Sequence, residues 1–160
     1  MTDDPLYRRE ILRLAADAAG AGHLPAPDAI GTASHDGYAQ RFGLIHRRIL
    51  ILRDDGTELR GEDVLEPAGR RAKRGKIPYA IRFHLGPGIE ATLTDSKRGV
   101  HLALPDGSYW QFLSISGEVT IDESLYVDGD GRPHPVQQLV IEGMESRGGG
   151  TFSWLLKKLS

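Results

Sequence analysis

The sequence predicts a mainly β protein: an antiparallel β-sandwich of about nine to ten strands with one short N-terminal α-helix. Three observations carry this. Apolar residues alternate with polar ones over most of the chain after Ser34. Twenty glycines and nine prolines punctuate 160 residues, so turns come often. Helical spacing is confined to the first twenty or so positions, about one short helix.

That helix is predicted over Pro5–Ala19, where Leu6, Ile11, Leu14 and Ala18 fall near one stripe. Asp3 or Asp4 can cap it, Pro5 suits its first turn, and Gly20 and Gly22 stop it. His23–Ala33 reads as a connector, and strand signals begin at Ser34. Leu44–Arg53 and Thr57–Leu65 then form a hairpin across Asp54-Asp55-Gly56. Ala68–Lys76 is a basic loop. Ile77–Leu85 alternates cleanly, with Ile77, Tyr79, Ile81, Phe83 and Leu85 on one face and Arg82 and His84 on the other. Further strands are expected at Ile89–Leu93, Val100–Leu104, Ser108–Ile115, Glu118–Val127, His134–Glu142 and Thr151–Leu159. Turns at Gly86-Pro87-Gly88, Asp95–Gly99, Pro105-Asp106-Gly107 and Asp128–Gly131 separate them. Two segments follow: 1–33, helix and connector, and 34–160, the β domain.

Composition closes several routes. With no cysteine there is no disulfide, thiolate nucleophile, Cys-ligated zinc or Cys-ligated cluster. A net charge of -2 gives no general field for nucleic acid or an anionic membrane. No apolar run reaches the roughly 18 residues of a membrane span. Asp3 and Asp4 stand where a signal peptide would be basic, so the chain as written reads as cytoplasmic. For a fragment of a longer protein, a periplasmic or unknown placement stays open.

The chain from Ser34 onward resembles the C-terminal β-sandwich of heparinase II/III-like polysaccharide lyases. The residues that carry the resemblance include Ser34-His35-Asp36-Gly37-Tyr38, Arg41-Phe42-Gly43, His46-Arg47-Arg48, Leu59–Asp63 and Ala80–Leu85. Leu102–Gly107 before Trp110, Glu123–Tyr126 and Gln137–Val140 extend it. Residues 1–33 instead resemble the N-terminus of NifU/IscU-like iron–sulfur scaffold proteins, without the cysteine ligands, which suggests a hybrid chain. The lyase resemblance implies β-elimination on uronic-acid-containing glycans. In that chemistry a base removes the C5 proton, an acid protonates the leaving oxygen and the uronate carboxylate is neutralised. It also implies catalytic groups from an α/α toroid, and a His-x-His motif supplying a catalytic histidine and metal ligands. This chain holds neither: its six histidines, His23, His35, His46, His84, His101 and His134, are widely spaced.

The expected function is therefore a non-catalytic β domain that binds acidic polysaccharide. A residual lyase is one alternative, and a self-associating structural domain is another. His35 and Tyr38 are the candidate base and acid, or simply part of a turn. Arg47 and Arg48 are candidate carboxylate clamps, or cross-strand ion pairs with Glu62 or Asp63 on the hairpin partner. Arg82 and His84 share a polar strand face that can meet a sugar or a neighbouring domain. Arg70, Arg71 and Arg74, with Lys73 and Lys76, can attract a polyanion. His84 and His101 can meet across strands but make a weak zinc site, so no metal and no cofactor is expected. Asp128–Gly131 reads as a turn instead of a calcium loop. Trp110, Phe112, Phe152 and Trp154 are assigned to the core. Expected partners are an acidic polysaccharide, a second copy or the missing toroid, with no nucleic acid and no membrane.

Overall fold

Two antiparallel sheets packed face to face make up the structure, a computed structural model that describes residues 29–69 and 74–159. The elements run β1 (Ala29–His35), α1 (Ala39–Phe42), β2 (Leu44–Leu52), β3 (Glu58–Pro67), β4 (Lys76–His84) and β5 (Glu90–Leu93). They continue as β6 (Gly99–Ala103), β7 (Tyr109–Ser114), β8 (Thr120–Val127), β9 (Pro133–Ser146) and β10 (Gly150–Lys158). The large sheet has the order β1-β2-β3-β10-β7-β6-β5, and the small sheet β4-β9-β8. The mainly β expectation holds, with ten strands and one short helix among the described residues.

The one helix among the described residues was not expected from the sequence. It is the single turn of α1, closed by Gly43 in the left-handed region at φ 75°. The expected helix at Pro5–Ala19 lies outside the described residues. Residues 29–33, expected as connector, are strand instead: β1 pairs with β2 from Ala29↔Leu52 to His35↔His46. Period-two patterning is weak there, because glycine, alanine and threonine give little contrast.

The hairpin β2–β3 follows the Asp54-Asp55-Gly56 signal. Gly56 takes φ 69°, and Asp55 accepts bonds from the Thr57 N–H and hydroxyl. Alternation then sorts each strand into an inner and an outer row. Phe83 of β4 meets Phe112 of β7 and Trp154 of β10 at ring separations of 4.8 and 4.9 Å, and Tyr79 meets Phe152 at 4.3 Å. These contacts weld the small sheet to the β10-β7-β6 side of the large one, where Val100, Leu102, Phe112, Leu139, Ile141 and Trp154 are buried. Along β1 every residue keeps some exposure, and in β2 only Leu44 is fully buried. The inner face of that flank carries polar side chains, and the candidate site lies there.

Candidate functional site

Asp63 is the centre of the site. It points inward from β3 and retains 2% of its surface exposed. A buried carboxylate needs donors on all its lone pairs. The β2–β3 register supplies them, because Arg48 stands directly opposite Asp63. Arg48 donates Nε to Oδ1 at 2.7 Å and a terminal N–H to Oδ2 at 3.0 Å, a bidentate fork. His46, two residues earlier on the same face, is bonded through Nε2 to Oδ1 at 2.7 Å. Trp154, from β10, donates Nε1–H to Oδ2 at 2.9 Å. Burial pushes the Asp63 carboxyl up, but the bonds from His46, Arg48 and Trp154 and the charge of Arg48 outweigh it, so it sits below its ordinary value.

The network continues outward. His46 Nδ1 lies 3.1 Å from His35 Nε2, and His35 Nδ1 accepts the Gly37 N–H at 3.3 Å. One neutral arrangement satisfies every pair: His35 donates to His46, and His46 donates to Asp63. Tyr38 stacks edge-on against His35 at 5.0 Å and is itself exposed. The Arg48 guanidinium lies 5.5 Å from the Phe83 ring centre and 5.8 Å from that of Trp154, which ties the network to the aromatic core. Gly61 makes this possible: a Cβ there would fall 2.1 Å from the Trp154 indole.

The other expected residues do not converge on this point. Arg47 points to the opposite face of the large sheet and pairs with Glu66 at 2.8 Å, a diagonal neighbour, instead of Glu62 or Asp63. Arg82 and His84 stand on the outer face of the small sheet, Arg82 at 3.9 Å from Asp122 and His84 bonded to Ser124 at 2.7 Å. Arg74 lies just before β4, while Arg70 and Arg71 lie outside the described residues. His84 and His101 sit in different sheets and do not form the cross-strand pair considered from the sequence. Asp128–Gly131 is a turn, in which Asp128 accepts from the backbone of Asp130 and Arg132 and pairs with His134 at 2.8 Å.

The metal ion that the lyase resemblance implies does not fit these residues. Among the described residues no group of three His, Cys, Asp or Glu side chains is arranged to hold one. His46 has one ring nitrogen on Asp63 and the other on His35, and a guanidinium already covers both carboxylate oxygens. What the sequence did not assign was a role for His46 and a polar task for Trp154. The inward period shared by His46 and Arg48 was a readable signal for the first. Nothing local pointed to the second.

Residues 19–155 match the family model described as "Heparinase II/III-like, C-terminal". A curated relative, FtsZ-localized protein C of Caulobacter vibrioides, is 31% identical over 130 residues, covering 78% of this chain and 22% of that protein. Heparan sulfate lyase HepC from Pedobacter heparinus shares the fold at a TM-score of 0.69 and 12% identity, over 88% of this chain and 21% of that one. The heparinase III-BT4657 gene product does so at a TM-score of 0.65 and 9% identity, over 84% of this chain and 20% of that one. The chain thus spans about a fifth of the length of these proteins. The match begins at residue 19, ahead of the junction expected at Ala33, so the scaffold-like reading of the N-terminus draws no support from it.

Proposed function

The chain belongs to the heparinase II/III-like C-terminal family, and from that premise we propose that it works as a non-catalytic recognition module for acidic polysaccharide. One observation carries the non-catalytic part. The side chains that elimination would draw on are engaged with each other: His35 with His46 and the Gly37 N–H, His46 with Asp63, and Arg48 with both Asp63 oxygens. A general base needs a lone pair facing substrate, and a carboxylate clamp needs an uncommitted fork.

The binding surface on this reading is the polar face of β4 with the segment that leads into it. Arg74 precedes the strand, Lys76 opens it, and Arg82 and His84 follow on its outer face. Among the described residues Arg82 has an exposed contact to Asp122, which costs little to exchange for a sulfate or uronate. Arg70 and Arg71 extend the same run in sequence. Heparin, heparan sulfate and alginate are the probes, with binding and ultraviolet absorbance of an unsaturated uronate followed in the same samples. The reading expects no new absorbance, binding that weakens steeply with salt, and loss of binding in a variant with Arg70, Arg71, Arg74 and Arg82 changed to serine. New absorbance that disappears in His35→Ala and Tyr38→Phe would make the chain a lyase.

A second reading rests on the curated relative. Its 31% identity exceeds the 9–16% of the lyase structures, and its name places it with FtsZ. On that reading the domain serves recruitment to an FtsZ-containing assembly. Co-sedimentation with FtsZ polymers, in the absence of polysaccharide binding, would favour it.

A further inference from the structure

The disagreement between the implied metal and the residues present is itself informative. A carboxylate as enclosed as Asp63 must have a positive partner, because an isolated buried charge is strongly disfavoured. Two solutions are chemically available at this position: a divalent cation held by imidazole and carboxylate, or a guanidinium fork. The structure holds the second. We propose that Arg48 is the built-in cation of this site, that it makes the domain independent of metal, and that one substitution converts the site into a zinc site.

The geometry carries the conversion. Arg48 and His46 are two residues apart on β2 and face the same way, and Asp63 lies directly across from Arg48 on β3. His46 Nε2 and Arg48 Nε reach the same oxygen, Oδ1, each at 2.7 Å. An imidazole introduced by Arg48→His therefore joins His46 and Asp63 as a third ligand from one small patch of two paired strands, with the fourth position left for water. In the native chain the guanidinium fills that patch, and a dication beside it would meet a like charge on the same carboxylate. The Phe83 and Trp154 rings flanking Arg48 shelter a delocalised cation and offer no lone pair to a metal.

The test uses tag-free protein, zinc chloride and EDTA, read by equilibrium dialysis and thermal melting. The native chain is expected to melt at the same temperature with either additive and to show no zinc affinity that His46→Ala removes. Arg48→His is expected to gain at least about tenfold in zinc affinity and a zinc-dependent rise in melting temperature, both lost on adding Asp63→Asn. Stoichiometric zinc on the native chain, removed by His46→Ala, would overturn the proposal. So would a folded Arg48→His variant indifferent to zinc. A second pair of variants keeps the test independent of that variant's folding: Arg48→Lys, which keeps a charge, must melt above Arg48→Met, which keeps only the bulk. Equal melting of the two would show that the cation is not what the site requires.

Discussion

Two histidine–aspartate pairs of nearly equal length occupy contrasting places in this domain. His46 and Asp63 meet at 2.7 Å on the inner face of the large sheet, with side-chain exposures of 14% and 2%. His134 and Asp128 meet at 2.8 Å in the β8–β9 turn, at 47% and 26%. Both carboxyls are held below their ordinary value. For Asp63 the bonds and charge around it override burial; for Asp128 the causes are the bond from His134 and those from the turn backbone. The difference lies in what surrounds each contact. Asp128 is served by partners within six residues, and water can replace any of them. Asp63 is served by three side chains from two other strands, one of them 91 residues away, and the carboxylate is almost wholly buried. The same contact is thus a turn ornament in one place and a tertiary fastening in the other.

The comparison predicts effects of very different size. Asp63→Asn leaves Arg48 without its counter-charge under the aromatic rings and is expected to cost about 3–5 kcal/mol in chemical denaturation. Gly61→Ala comes next: the indole must move off its seat and drag its bond to Asp63 with it, for about 1–3 kcal/mol. Trp154→Phe keeps the ring packing but removes the donor to Oδ2, about 1–2 kcal/mol. Asp128→Ala is expected to leave the melting temperature within experimental error. An Asp128→Ala variant as unstable as Asp63→Asn would break the comparison.

Acid titration sharpens it. The Asp63 carboxyl is depressed in the folded state, so the unfolded chain binds its proton first as pH falls. The stability it contributes is complete above the unfolded value of about 4 and is lost as pH drops through the lower folded value. Denaturant midpoints measured between about pH 6 and pH 2 should fall steeply in the native chain, and less steeply in Asp63→Asn, which has no such proton to take up.

Much of this domain was legible locally. The alternation in Ile77–Leu85 placed Phe83 inward and Arg82 outward, as β4 has them, since a strand has only two faces. The Asp54-Asp55-Gly56 turn set the β2–β3 register, and with it the pairing of Arg48 with Asp63 that the sequence offered as one of its readings. β1 was missed because its small residues leave no pattern, and its His35 was read as part of a turn when it stands opposite His46.

The sequence by itself determined the strands, their turns and which side chains share a face, because these depend on φ preferences and on a period of two. Tertiary structure alone decided that β10, the last strand, inserts between β3 and β7. That pairing joins segments far apart in the chain, and no local preference encodes it. It is also what brings Trp154 onto Gly61 and Asp63, and so turns a hairpin ion pair into a closed, buried network.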